Sequence, residues 1–284
     1  MAVLWRRSVS ATIGPAGGDG VRVGTAQDGS PGLDLDFLVT MTDNPEPNQL
    51  RLQVWNPSPS TVTLAQDPDA VVRLTVGHFG DDGDGVIRQV FEGNPVPGGV
   101  RFDQSGARGD TVLEIEARDG GRRYSLGRLS TSFATTTTAR QVFEEIAGAL
   151  DLPLGQVDLE DAQDFPAPLV LVGPARRLLD ELVEGMGRRW FVRDGALHVL
   201  GLEADTGETA VVFSSEAGNL IGSPIPTDRG IEVRGLLAPT LRPGKLFKVS
   251  SRDYSGLYRC TDLQFKGSSY QGPFDVVAKG VPKG

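Results

Sequence analysis

The stretch Gly77 to Gly93, GHFGDDGDGVIRQVFEG, gathers Asp81, Asp82, Asp84 and Glu92 in one short segment. Carboxylates at this density raise the question of a calcium loop or a hairpin turn. A helix–loop–helix calcium loop needs oxygen donors at positions one, three and five, a glycine at six and a bidentate glutamate at twelve. Counting from Asp81 puts Glu92 at twelve but Gly83 and Gly85 at three and five and Val86 at six. Counting from Gly80 fits Asp82, Asp84 and Gly85 but leaves no side chain at one and Phe91 at twelve. Neither register makes a site. The flanks VVRLTVGHF and VIRQVFEG are β-branched and partly alternating, so the segment reads as a hairpin whose Asp/Gly turn tolerates positive φ.

The other reactive residues are sparse. His78 and His198 are the two histidines; each falls within or at the end of a predicted strand, far apart in sequence, and neither is assigned as ligand or base. Cys260 stands alone, which excludes an internal disulfide framework, makes a zinc site improbable and suits assembly in a reducing cytoplasm. There is no G-x-S-x-G elbow. GPAGGDG, Gly14 to Gly20, lacks the Lys-Ser/Thr ending of a phosphate loop and precedes a strand, so it reads as a loop. Glu144–Glu145 and Asp180–Glu181 sit on predicted helices whose opposite faces are apolar, and read as solvated faces. A glycosidase acid and its partner carboxylate can be distant in sequence, so a peptidoglycan- or polysaccharide-hydrolysing enzyme with paired carboxylates stands as the alternative function. GRRYSLGR and GMGRRW set arginines beside aromatics; nucleobase stacking is one use, and covering a neighbouring subunit or an intramolecular carboxylate suits an acidic protein better. No catalytic, cofactor-binding or metal-binding residue is assigned, and no cofactor is expected.

The 284 residues carry a net charge of −9 and a pI near 4.8, which argues against sequence-independent binding to nucleic acid. An acidic wall is nevertheless compatible with a conduit past which a phosphate backbone slides. No apolar run approaches a membrane span, and MAVLWRRSVSATIG has no apolar stretch behind its arginine pair, so no secretion signal is expected. The 37 glycines and 19 prolines announce many turns.

The elements needed to hold such a chain are mostly strands. VRVGTAQ, LDLDFLVTMT, QLRLQVWN, VVRLTVGHF and VIRQVFEGNPV are strand candidates separated by DGSPG, DNPEPN, NPSPS and the Asp/Gly cluster, the spacing of a sandwich or barrel. Prolines 45, 47, 57 and 59 are placed in connections. DTVLEIEARDGGRRYSLGRLSTSF reads as a hairpin turning at DGG. TTTTARQVFEEIAGALDLPLG and PARRLLDELVEGMGRRW then show helical periods, with a threonine of Thr135–Thr138 as N-cap and Pro174 in a first turn. RWFVRDGALHVL is a hairpin at Asp194–Gly195. ETAVVFSS, GIEVRGLL, GKLFKVSS, GLYRCTDLQFKG and PFDVVAKG return to strand. The fold class is mainly β (α+β): a first β domain over residues 1–103, a second over 104–132 plus 204–284, and a two-helix α+β insertion over 133–203.

In order and spacing, the pieces resemble the baseplate hub proteins of tailed bacteriophages, the late-tail protein D and hub group. NQLRLQVWNPSPST, with Trp55–Asn56, is similar to a strand followed by a Ser/Thr-rich turn. Gly77-His78-Phe79 and Phe91-Glu92-Gly93 take the places of a Gly-aromatic strand end and a Phe-Gly close, although His78 stands where tyrosine is more usual. DTVLEIEARDGG, the insertion closing on GRRWFVRDGALHVL, and GIEVRGLLAPTLRPGKLFKVSS with GLYRCTDLQFKGSS resemble the later segments.

The resemblance spans most of the chain and has no counterpart of a muramidase domain. It implies two tail-tube-like β-barrel or sandwich domains per chain and a homotrimeric hub that adapts a sixfold tail tube to a threefold spike. It further implies a virion location in the tail baseplate after assembly in the host cytoplasm, an acidic channel for DNA, and an insertion at the periphery. The implied partners are a tail-tube or distal tail protein on one face and the spike or other baseplate proteins on the other, with no membrane insertion. A carbohydrate-binding module is disfavoured, because aromatics are 7% of residues and mostly lie within predicted strands.

Overall fold

A computed structural model describes residues 6–18, 20–26, 29–79, 86–104, 109–120, 124, 126–158 and 164–283. The first block comprises β1 (Arg6–Pro15), β2 (Val21–Gly24), β3 (Leu35–Thr42), β4 (Gln49–Trp55), α1 (Pro59–Gln66), β5 (Ala70–Phe79), β6 (Ile87–Asp103) and β7 (Val112–Arg118). The middle segment holds β8 (Arg128–Phe133), β9 (Thr137–Thr138), α2 (Ala139–Leu150), β10 (Leu154–Val157), β11 (Asp164–Phe165), β12 (Leu169–Pro174), α3 (Ala175–Gly185), β13 (Arg188–Arg193) and β14 (Ala196–Gly201). The last block is β15 (Val211–Ser214), β16 (Ile225–Thr227), β17 (Gly230–Leu236), β18 (Leu246–Ser250), β19 (Ser255–Ser268) and β20 (Phe274–Pro282). The protein is mainly β with a small helical insertion, as the sequence periodicity predicts.

Alternation of apolar and polar residues builds strands such as β4 and β7. In β4, Leu50, Leu52 and Val54 face the core while Arg51 and Gln53 face out. Thirteen of the described strands hydrogen-bond into one sheet that runs β16-β17-β20-β19-β3-β4-β7-β6-β5-β1-β2, with β15 and β18 branching from β19. The β3–β19 pairing, from Asp262↔Thr42 to Ser268↔Asp36, joins the first block to the last. β6 is shared: Ile87–Gly93 pairs with β5, and from Asn94 to Asp103 the strand pairs with β7, with an irregularity between Pro95 and Val100. Pro95 and Pro97 lack the amide donors a continuous ladder requires.

Both blocks curl. In the last one Asn219 closes the ring: its side chain accepts from the Ser214 amide at 2.8 Å and donates to the Val212 carbonyl at 2.7 Å, while Leu236 N donates to its backbone carbonyl at 2.8 Å. This ties β15 to β17 around Phe213, Phe247 and Phe265. Gly235 makes room, since a Cβ there would stand 2.5 Å from the Phe213 ring. In the first block Gly32 passes over β2 so closely that a Cβ would lie 1.9 Å from the Gly24 carbonyl oxygen. One apolar core runs through both blocks and another fills the insertion, from Tyr124 to Val199.

Several local expectations change. Pro59, expected in a connection, opens α1, which Ser58 caps by accepting from the Thr61 amide at 3.2 Å. TVTL has no helical pattern, so the helix comes from its cap and from packing Val62 and Ala65 on the barrel. β7 and β8 do not form a hairpin with each other: β7 pairs with β4 and β6, and β8 pairs with β12. The chain leaves the barrel at Asp119–Gly120, and β8 buries Leu129 and Phe133 against the helices instead. Pro174 is the N-cap residue of α3 rather than a first-turn residue. Thr138 caps α2 in a capping box with Gln141. Asp194 (φ 50°) and Gly195 (φ 76°) form the expected two-residue turn of the β13–β14 hairpin. Residues 80–85, the turn of the opening motif, lie outside the described residues, but its flanks pair as antiparallel strands.

Phe265 sits in the β3–β19 seam, fully buried opposite Val39. Phe265→Ala is expected to lower unfolding free energy by about 3–5 kcal/mol, and Gln264→Ala, on the outer face of the same strand, by less than about 0.5 kcal/mol. Urea-denaturation midpoints of the two variants measure the difference; equal midpoints would mean that the seam is not a stability keystone.

Candidate functional site

Several of the residues that suggested chemistry are occupied structurally. Glu92 meets Arg73 across the β5–β6 pairing, Nε to Oε2 3.0 Å, and accepts from Gln89 at 3.0 Å; Asp81, Asp82 and Asp84 lie outside the described residues. No group of three His, Cys, Asp or Glu side chains is placed to hold a metal among the described residues. The His198 ring stacks on Phe191 at 5.5 Å, its Nδ1 accepts from the Gln156 amide at 3.1 Å, and burial pulls its pKa down to about 4. The His78 ring stands edge-on to Phe274 at 5.0 Å, and burial lowers its pKa. Cys260 is fully buried in β19 and its thiol is pushed up by burial. Asp180 accepts from Trp190 Nε1 at 2.8 Å, and Glu181 pairs with Arg177 one turn away. Glu144 and Glu145 lie exposed on α2.

What the fold does assemble is an extended polar face. Across the seam, in register, stand Glu232, Lys279 and Asp262; then Arg234, Gln264, Thr40, Gln49 and Arg118; then Asp275, Lys266, Leu38, Arg51 and Glu116; then Ser268, Asp36, Gln53, Glu114 and Arg101. Acids and bases match in number along these rows, and some pair directly: Arg51 with Glu116 at 3.8 Å, Lys279 with Glu232 at 3.5 Å, and Arg234 with Asp275. Between β19, β3, β4 and β7 the face holds a depression of about 550 Å³. The sequence carries this face in its polar alternation, but which strands adjoin is decided by pairings across the whole chain.

The second assembly is the joint between barrel and insertion. Arg189 of β13 and Arg259 of β19 converge on Asp43, just past β3, with Arg189 Nε 3.3 Å from Oδ2 and Arg259 closer. Arg189 also donates to the carbonyls of Gly201, Leu202 and Ala204. Burial raises the Asp43 pKa despite both cations, and burial with the nearby Arg259 lowers that of Arg189 to about 10. Asn48 gives its backbone amide and its Nδ2 to the Asp119 carboxylate at 2.8 and 2.6 Å, and Nδ2 also reaches the Val192 carbonyl at 3.2 Å. Burial outweighs these bonds and pushes the Asp119 pKa up to about 7. Tyr124 Oη and Arg176 both donate to the Pro45 carbonyl, at 2.6 and 2.8 Å, and the Arg176 guanidinium stacks over the Tyr124 ring. Arg242 bridges Asp194 and the Gln89 carbonyl.

DNPEPN, read from sequence as a mere turn, is thus the socket that receives the insertion. Of the arginine–aromatic motifs, Tyr124 and Arg189 turn inward to this socket, as the intramolecular reading expects; Arg122 and Arg123 lie outside the described residues.

Comparisons with known proteins place this architecture. No protein-family profile and no curated protein sequence matches the chain. Solved structures do. The tail protein from Neisseria meningitidis MC58 is similar over 99% of this chain and 98% of that one, with a TM-score of 0.62 at 13% identity. The 43 kDa tail protein of prophage MuSo2 from Shewanella oneidensis is similar over 98% of both chains, with a TM-score of 0.62 at 10% identity. An E. coli component of the type VI secretion system, itself described as similar to the T4 bacteriophage tail proteins gp27 and gp5, matches 88% of this chain and 74% of its own, with a TM-score of 0.57 at 12% identity. The chain has the fold of these phage tail proteins.

Two outcomes follow for the joint. Asp43→Leu is expected to cost about 3–5 kcal/mol by leaving the buried Arg189 and Arg259 without their shared carboxylate, and Arg259→Met to cost less because Asp43 keeps Arg189; thermal and urea unfolding of both measure it. The folded pKa of Asp119, about 7, lies above its ordinary value of 3.8. Between these values the unfolded chain has lost a proton that the folded chain keeps, so this group's contribution to stability falls as pH rises from about 4 to about 7. Asp119→Asn is expected to flatten that slope in urea midpoints measured across the range.

Proposed function

We propose that this protein is a structural component of a phage-type tail: a baseplate hub that works as a homotrimer, adapts a sixfold tail tube to a threefold spike, and lines the channel through which DNA passes. The observation that carries the reading is the end-to-end likeness, over at least 98% of both chains, to two tail proteins. The two curled β blocks joined through β3 and β19 are read as the two tube-like domains, so that three chains offer six similar units, as a tube-to-spike adaptor needs.

On this reading the polar face of the long sheet is the channel wall. Its matched charges give a neutral, hydrated surface rather than the acidic one that the net charge of −9 implied. Such a wall holds no basic stripe on which phosphates would dwell. The role is non-enzymatic, and the protein resides in the tail baseplate, with tube or distal tail protein on one face and spike on the other.

Light scattering on a sizing column is expected to give about 90 kDa, three times 30.2 kDa, with a central hole in negative-stain images. A chain that stays monomeric even with tail-tube and spike partners added refutes the trimeric adaptor.

A further inference from the structure

We propose that the groove between β8 and α2 is a docking site for an extended, basic segment of another protein, which adds as a third strand to the open edge of β8. The proposal stands apart from the hub reading and does not depend on it.

Four observations meet there. β8 and β12 form a two-stranded ribbon, and among the described residues the second edge of β8 has no strand partner. A two-stranded ribbon is marginal by itself, and an unpaired edge presents N–H and C=O groups at the spacing that an incoming strand matches. Beside that edge lies an open groove of about 930 Å³, with Arg128, Ser132, Phe133 and Thr137 on the strand side and Glu144, Glu145 and Gly148 on the helix side, so that its charged lining is two acids against one base.

Gly148 is the third point to explain. It sits inside α2, where glycine is less favourable than alanine, yet a Cβ there would meet nothing within 4 Å. Nothing among the described residues demands the glycine, whereas a second backbone laid along the groove would.

The fourth observation sets the chemistry of the occupant. Glu144 and Glu145 are exposed on the groove wall and have no ion-pair partner among the described residues. The chain as a whole carries −9, so charge complementarity selects a segment with Lys or Arg at the positions facing α2. The row of alternating N–H and C=O groups along the edge matches the repeat of extended polypeptide. The same charge disfavours a second copy of this acidic chain.

The test pans a random linear dodecapeptide display library against the full chain. Enriched peptides are expected to alternate apolar or β-branched residues with Lys or Arg and to lack central proline. A fluorescein-labelled copy of the best one should bind by anisotropy, and its binding should slow hydrogen exchange over residues 128–133. Gly148→Leu fills the groove while favouring the helix; it should weaken binding by roughly tenfold or more with the far-ultraviolet circular dichroism and melting temperature retained. Glu144→Lys/Glu145→Lys should weaken it comparably and flatten its salt dependence. The proposal is overturned if no peptide is enriched, if Gly148→Leu binds the selected peptide as well as the parent does, if a centrally proline-substituted peptide binds equally, or if protection appears elsewhere. A concentration-dependent dimer that Gly148→Leu dissolves would also overturn it, by making a second copy the occupant.

Discussion

The structure depends on one pairing, β3 against β19. Residues 36–42 and 262–268 are separated by most of the chain, yet they exchange hydrogen bonds along a full ladder. Without it the first and last blocks would be two smaller sheets with raw edges; with it they share one sheet and one apolar core. Val39, Phe265 and Val276 stack through that seam, so the burial that stabilises each block is cooperative with the other. The cost is a long loop closure, because the whole insertion must be accommodated between the partners.

The insertion is held by different physics. It has its own core, and it meets the barrel mainly through charge-assisted and backbone hydrogen bonds gathered on Asp43, Pro45 and Asn48. Such contacts are directional where apolar contacts are not. They fix the angle of the insertion relative to the sheet. Buried ion pairs of this sort add little net stability over apolar packing; what they add here is geometry. The polar face follows from the same arrangement, since the seam brings rows of side chains from both blocks into register and lets opposite charges neighbour each other.

How much was legible in sequence depended on the range of the interaction. Leu50, Leu52 and Val54 alternate with polar residues, and β4 was plain. The faces of α2 and α3 were equally plain, and Asp194–Gly195 announced its turn because positive φ at two successive residues is chemically restrictive. α1 was hidden, since its β-branched TVTL carries no helical period and only Ser58 and Pro59 mark its start. The DGG signal misled because Gly120 serves a crossing between cores rather than a hairpin. The socket was invisible: Asp43, Pro45 and Asn48 look like ordinary turn formers, and their partners Arg189, Arg259, Asp119 and Tyr124 are scattered through the chain. Glu144 and Glu145 were noticed as a solvated face, while the open edge beside them could not be seen until β8 chose β12.

By itself the sequence determined the mainly β class, the place of the two helices, the absence of a recognisable catalytic motif and the order of segments that resembles phage tail hubs. These are set by side-chain period and backbone preference, which act over a few residues. The tertiary structure alone decided that β3 meets β19, that β8 leaves β7 for β12, that the charges of the long face cancel, and that a turn becomes a socket. The strand pairings are choices among partners of equal local fitness, distinguished by which of the two apolar cores each strand helps to bury.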